Sequence, residues 1–392
     1  MQKHVREVLY SVHNGNLLRS KKDEQFAEEI RETIFSILEE DSRSWTWTTQ
    51  QKDTFAQELM NDLFGWGILQ QFINNPEVTE ILVTGTNPIV VEKRASLEVT
   101  NVKFQEVSEV RDVIDRIISP LGRRCDESSP NVDARLPDGS RVSASISPIA
   151  LDGATISIRK FSKSTFSLED YVFHKSLTQE MAEFLTSAVM TRKNILVIGG
   201  TGSGKTTLLN ALSSKIPHTE RIISLEDTHE LRLTHPLWER YESKPPNIEG
   251  KGEISIRDLV KFSLRKRPDR IIVGEVRSGE AFDLLQAFST GHDGSLSTIH
   301  ANSCKDGCDR LETLCMMSGL NLPLMAIRKI ISNAVDVLIF TSKVYNRRLD
   351  KTERKVTEIA CVQKGLNDRG EITVNMLFQY DSESEQFKRC FV

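Results

Sequence analysis

Ile195-Leu196-Val197-Ile198-Gly199-Gly200-Thr201-Gly202-Ser203-Gly204-Lys205-Thr206-Thr207 is the stretch on which the reading of this chain turns. Four apolar residues predict a buried strand. The glycine-rich run after it predicts a tight loop, and Leu208, Leu209 and Leu212 recur at the spacing of a helix face. The pattern G-x-x-x-x-G-K-[ST] therefore stands in the strand–loop–helix context that it needs. Glycines let successive backbone N–H groups turn inward around phosphate oxygens, and the helix start adds the positive end of its dipole. Lys205 supplies a point charge for the β- and γ-phosphates, and the Thr206 hydroxyl is the expected Mg²⁺ ligand. Residues Gly199, Gly200, Thr201, Gly202, Ser203, Gly204, Lys205, Thr206 and Thr207 are the candidate cradle for ATP.

Around this stretch the grammar is strand–helix alternation, the mark of a mostly parallel α/β sheet. Strands read at 195–198, 221–225, 270–273 and 296–299. Helices read after Gly204, around 256–265 and around 280–288. Two strands end on carboxylates, where α/β folds bind ligands. Leu225-Glu226-Asp227-Thr228-His229-Glu230 offers Glu226 as the water-polarising base, with Asp227 and Glu230 in support. Arg270-Ile271-Ile272-Val273-Gly274-Glu275 has the Walker B pattern, in which an acid orients Mg²⁺ through water. Gly274 fills the usual aspartate slot, leaving Glu275 as the only acid. His292 and His300 flank the strand at 296–299 and suggest γ-phosphate sensing or subunit contact. No third ligand at suitable spacing favours a metal site for them.

The first half reads differently. Helices are expected up to about residue 45, after a polar and loose stretch at 13–24, and again at 48–64. Strands at 81–83 and 89–91 flank a turn, and a helix carrying Val110, Val113, Ile114, Ile117 and Ile118 ends at Pro120. Leu136-Pro137-Asp138-Gly139 fits a three-residue hairpin loop. In that register Arg135 faces Arg141, and the apolar set Val132, Ala134, Leu136, Val142, Ala144 and Ile146 shares one face. A strand at 155–159 leads into the polar run 160–165, where the domain boundary is expected. The division is thus 1–45 helical segment, 46–160 smaller α+β domain, 161–175 linker and 176–392 ATPase domain. Arg135, Arg141 and Arg159, on strands of the separate domain, are candidates to complete a phosphate site, because guanidinium binds phosphate oxygens bidentately.

Composition bounds the rest. The 392 residues suit two or three domains, with 39% hydrophobic and 27% charged residues. Net charge is −4, which argues against a nucleic-acid-dependent ATPase and for no direct nucleic-acid partner. No apolar run is long enough for a transmembrane helix, and the start lacks a signal core. The six cysteines are scattered and read as reduced thiols, with Cys304-x-x-x-Cys308 as ordinary helix or loop content. Trp45, Trp47, Phe55 and Trp66 read as core or a docking patch.

In combination these residues resemble the secretion-superfamily ATPases of type II and type IV secretion and type IV pilus motors. The resemblance is nearest to the tight-adherence pilus assembly branch (CpaF). It rests on the cradle, the acidic box at 225–230, Pro245-Pro246-Asn247-Ile248-Glu249-Gly250-Lys251-Gly252 and Arg267-Pro268-Asp269-Arg270 through Arg277. The stretches 290–302, 120–124 and 126–141 add to it. The resemblance implies a homohexamer whose smaller α+β N-terminal domain is hinged to a RecA-like P-loop ATPase domain of α/β class. It assigns Glu226 to the acidic box, Glu275 to Walker B, and His292 with His300 to the histidine box, and it makes glycine at 274 normal. It implies ATP and Mg²⁺ as cofactors and pilus assembly or protein secretion as the task. Inner-membrane platform proteins would hold a cytoplasmic ring peripherally at the inner membrane. Type IV secretion and pilus retraction are the near alternatives. Ser278 and residues 303–308 depart from the pattern.

Overall fold

The computed structural model describes residues 1, 4–5, 8–9, 12, 24–93, 96–160, 166–246, 251–346 and 351–390. The expected loose stretch at 13–23, the boundary run 161–165 and the motif residues 247–250 lie outside them. The chain divides into two compact units, Met1–Ser162 and Lys163–Val392.

The first unit is α+β. Helices α1 (Glu24–Glu40) and α2 (Thr49–Phe64) are joined by a short 3₁₀ turn. Thr48 caps α2 reciprocally with Gln51, which satisfies two otherwise orphaned N–H groups. Ile30, Ile34 and Leu38 of α1 bury themselves with Ala56 and Leu59 of α2. A boundary at residue 45 would therefore separate two helices that share one apolar cluster, and residues 24–45 belong with the unit that follows them. Next come α3 (Gln70–Asn74), β1 (Val78–Thr84), β2 (Val90–Lys93), β3 (Ser96–Val99), α4 (Val107–Ile118), β4 (Asn131–Arg135), β5 (Arg141–Ile146) and β6 (Ala154–Arg159). The six strands form an antiparallel sheet in the order β3-β2-β1-β6-β5-β4. The five apolar residues predicted for one face of α4 are all buried against it. The hairpin takes the predicted register: Leu136 N–H donates to Ser140 O at 2.9 Å, and Arg135 pairs with Arg141. Arg141 also pairs with Arg159, and Arg159 with Glu80. Three arginines and a glutamate thus form one row across four strands.

The second unit opens with α5 (Leu168–Phe173) and α6 (Gln179–Met190). Residues 168–173 were expected in a linker. Instead Ser167 and Asp170 form a capping box, and Leu168 and Tyr171 sink into the core. Then follow β7 (Ile195–Gly199), α7 (Lys205–Ser213), β8 (Ile222–Glu226), β9 (Trp238–Glu242), α8 (Ile256–Ser263), β10 (Arg270–Val276), α9 (Glu280–Ser289), β11 (Leu296–Ile299), α10 (Cys304–Met316), α11 (Leu324–Ala334) and β12 (Val337–Asn346). The chain ends in β13 (Lys351–Val362), β14 (Val374–Asp381) and β15 (Gln386–Arg389). The sheet order is β15-β14-β13-β12-β7-β11-β10-β8-β9, with β12 through β9 parallel and the other three antiparallel. Alternate residues of β7 enter opposite cores: Leu196 and Ile198 pack with α8–α11, Ile195 and Val197 with α5–α7. Covering both faces is why the parallel strands read as unbroken apolar runs.

The amino-terminal edge of the parallel strands is closed by hydrogen bonds. Asn194 receives Gly294 N–H (2.8 Å) and Ser295 N–H (3.1 Å) and donates to Ala334 O (2.7 Å). Arg270, fully buried, donates to Glu220 at 2.5 Å and to the carbonyls of Val189 and Gly294.

Candidate active site

At the opposite edge the carboxyl ends of β7, β11, β10 and β8 lie side by side, since each is parallel to its neighbour. Gly204, at φ 99°, turns the loop after β7 into α7, a conformation that a side chain would oppose. Lys205 then begins the helix. It is buried, and its ammonium donates to Gly200 O at 2.9 Å. The loop is tied down from β12, where Thr341 Oγ1 lies 3.1 Å from Ser203 O and 2.9 Å from Ser203 Oγ.

From Lys205 a line of polar groups crosses the strand ends. The His300 imidazole stands 3.3 Å (Nε2) and 3.4 Å (Nδ1) from Lys205 Nζ. His300 Nε2 is 2.8 Å from Glu275 Oε1. Arg277 donates to Glu275 Oε2 through Nε (2.9 Å) and Nη2 (2.6 Å), and its Nη1 is 3.6 Å from Asp227. Burial, and then the Lys205 ammonium beside it, hold the His300 imidazole below its ordinary value, so it is neutral at neutral pH. A cavity of about 450 Å³ opens here, lined by Thr201, Glu275, Val276, Arg277, His300 and Arg310. Its lining offers a cation and a carboxylate at the mouth of a phosphate cradle, which is the equipment for binding a polyphosphate and activating water.

The cradle residues, Glu275 and His300 come together as the sequence predicts. Two other candidates stand apart from this line. Glu226 was expected to polarise water. It is 2% exposed, and both oxygens are engaged: Oε1 accepts Glu230 N–H (2.9 Å) and Leu231 N–H (3.0 Å), while Oε2 is 2.9 Å from His229 Nδ1. These bonds wrap the acidic loop around the carboxylate. His292 was grouped with His300, but it precedes β11 and lies at the amino-terminal edge, with the whole strand between them. Its carbonyl accepts Ser295 Oγ at 2.6 Å, so it belongs to the closed edge and not to the cradle. Gly274 gains a reason: a β-carbon there would stand 3.0 Å from Glu226 Cγ. Any side chain in the aspartate slot would meet the Glu226 side chain, which lies across it.

Arg135, Arg141 and Arg159 belong to the first unit, in the row described above. Arg159 Nε is 3.8 Å from Glu80. The sequence reading passed over Arg277, Arg310 and Thr341 as site residues. The signal for Arg277 was a cation two residues past the Walker B acid. For Thr341 it was a hydroxyl ending the apolar run Val337–Phe340, the same punctuation that marks the other strand ends.

The donor set fits Mg²⁺, a hard cation that takes oxygen ligands: the Thr206 hydroxyl opens α7 and Glu275 lines the cavity. Among the described residues no group of three or more His, Cys, Asp or Glu side chains could hold a metal ion. Phosphate oxygens and water would complete the shell. Among the described residues no helix is long and apolar enough to cross a membrane.

Residues 63–388 match the model of a family described as "Type II/IV secretion system protein". A putative conjugal transfer protein of Mycobacterium tuberculosis is 34% identical over 312 residues, covering 78% of this chain and 87% of that protein. The type IV secretion system protein VirB11 of Brucella suis is 32% identical over 325 residues, covering 74% and 87%. Among solved structures, the pilus retraction motor PilT with bound ADP aligns at TM-score 0.56 and 20% identity, over 79% of this chain and 82% of that one. The ATPase DotB of Legionella pneumophila aligns at TM-score 0.55 and 19% identity, over 73% and 78%. These two likenesses show the fold, a RecA-like secretion ATPase fold of two domains.

Proposed function

This chain belongs to the type II/IV secretion system protein family, and from that premise we propose that it hydrolyses ATP to drive a secretion or pilus machine. The observation that carries the reading is Lys205 inside a glycine-lined cradle, with Glu275 and His300 facing the adjoining cavity. The backbone amides of residues 199–207 and the Lys205 ammonium bind the polyphosphate. Mg²⁺, held by Thr206 and oriented through water by Glu275, would neutralise charge on the β- and γ-phosphates. Glu275 polarises the attacking water, and the neutral His300 accepts or donates a hydrogen bond at the γ-phosphate. Glu226 positions the acidic loop beside them.

We further propose a homohexamer in which Arg135, Arg141 and Arg159 supply cations to phosphate in the assembled ring. Rigid-body movement of the units would transmit the work. The ring would act in the cytoplasm, held peripherally at the inner membrane by platform proteins, with no nucleic-acid partner. The task follows either the tight-adherence pilus branch or type IV secretion, and the relatives named for conjugal transfer and VirB11 support the second.

Phosphate release by the purified full-length protein tests the reading. Lys205→Ala is expected to abolish turnover with the fold intact by circular dichroism. Glu275→Gln is expected to bind fluorescent ATP normally and lose at least a hundredfold in turnover, the scale of a lost general base. Full turnover in either variant refutes the role given to it.

A further inference from the structure

The hairpin of β12 and β13 runs alongside β7, beside the cradle, and carries two cations that the phosphate-binding loop alone does not explain. Lys343 and Arg354 are directly opposed cross-strand partners. Arg354 Nε donates to Gly202 O at 2.9 Å, and its Cδ lies 3.6 Å from where a β-carbon on Gly204 would stand. Lys343 Nζ lies 3.1 Å from the corresponding position on Gly202. Both side chains thus touch the middle of the loop that must cradle phosphate. Both residues are solvent-exposed.

Like charges facing each other across strands are destabilising unless something neutralises them. The rest of the same hairpin is neutralised. Glu353 lies 3.1 Å from Lys351 Nζ and 3.1 Å from Lys355 Nζ, and accepts from Asn346. Among the described residues no carboxylate pairs with Lys343 or Arg354; Arg354 bonds a backbone carbonyl and stands near the neutral Tyr171 hydroxyl. Two cations left without an anion, in contact with an anion-binding loop, mark a place for negative charge from outside the chain.

We propose that Lys343 and Arg354 are nucleotide-binding residues: a cationic pair, contributed by the same subunit, that takes phosphate oxygens of the bound nucleotide at Gly202–Gly204. This rests on the cradle reading above and deepens it. Lys205 addresses the phosphates from within the loop, and the pair addresses them from the β12–β13 side. The pair would hold ADP as well as ATP, because its neighbours are the central loop residues and not the Glu275–His300 cavity where the γ-phosphate is expected.

The test is a titration of the full-length protein with fluorescent ADP, in parallel with competition by inorganic pyrophosphate. Lys343→Gln and Arg354→Gln are each expected to weaken ADP about tenfold to a hundredfold, and the double variant more, on the scale of charge-assisted hydrogen bonds. Pyrophosphate should weaken by the same factor, and Lys343→Arg should restore both. Thermal unfolding without nucleotide should not fall for Lys343→Gln, since the side chain is exposed and its loss relieves the like-charge contact with Arg354. Wild-type ADP affinity in both glutamine variants would overturn this proposal while leaving the cradle reading in place. A loss for ADP without a loss for pyrophosphate would also overturn it, because the pair would then be reading base or ribose. A wild-type protein that binds no ADP, indistinguishable from Lys205→Ala, would bring down both.

Discussion

Replacing Gly274 by aspartate would restore the residue usual in a Walker B slot, and the structure predicts that it harms the protein. The new β-carbon would lie 3.0 Å from Glu226 Cγ and 3.6 Å from Glu226 Oε1. Glu226 cannot swing aside without releasing the N–H groups of Glu230 and Leu231 and the His229 ring. Crowding of this kind costs about 1–3 kcal/mol. The aspartate would also bring a second carboxylate within about 4 Å of the first, worth roughly 4 kcal/mol of repulsion at an effective dielectric constant near 20. The pair relieves part of that by holding a proton, so one carboxyl titrates above its unfolded value. A raised folded pKa for an acid means the penalty is fully present above that pKa and fades as pH falls below it. The assay is urea unfolding of the second unit's signal in the full-length protein, at pH 7.5 and pH 5. Gly274→Ala should cost the crowding share at both pH values. Gly274→Asp should cost more at pH 7.5 and approach the alanine variant at pH 5. Adding Glu226→Gln to Gly274→Asp should recover the repulsive share when compared with Glu226→Gln alone. An aspartate variant as stable as the parent at pH 7.5, or one that Glu226→Gln does not help, would refute this account of the glycine.

Glu226→Gln alone should reduce turnover less than Glu275→Gln does in the same phosphate-release assay; an equal or larger loss would return the base role to Glu226. The His300 imidazole should titrate below the ordinary value of about 6.5 in an NMR titration. Because its folded value is depressed, acidification through that range protonates the unfolded chain first, and stability falls as pH drops. Lys205→Met should raise the His300 midpoint part of the way, burial being the larger cause; no rise would mean the ammonium is not felt. Arg135→Ala and Arg141→Ala should cut turnover of the assembled protein while fluorescent ATP still binds; unchanged turnover would remove the arginine row from the mechanism.

Much of the second unit was legible because burial on both sheet faces writes strands as plain apolar runs: 195–198, 270–273 and 296–299 all fall within observed strands. The cradle was legible for a different reason, since phosphate chemistry constrains residue type and spacing together. The hairpin at 136–140 yielded its register because only one loop length keeps Val142, Ala144 and Ile146 on the face of Leu136. The strands after residue 337 were not read. β13 begins Lys351-Thr352-Glu353-Arg354-Lys355, and its register shifts between Ile359 and Ala360, so the period-two signal is broken. Residues 168–173 were missed because a six-residue helix shows little more than one turn of periodicity, though the Ser167–Asp170 cap was there to see. His292 and His300 flank the same strand, so the strand's direction decides which of them faces the cradle. A strand of four residues between two histidines puts them at opposite ends of the sheet.

The polar line Lys205, His300, Glu275, Arg277, Asp227 follows the order of the strands, β7 to β11 to β10 to β8, and not the order of the chain. Its first step already joins residues 95 positions apart. Each of these side chains therefore has its working environment written elsewhere in the gene. A substitution at position 227 has to be judged against 277 and 275, and one at 300 against 205. Anyone re-engineering this protein would do better to exchange the five as a set than to vary any of them singly.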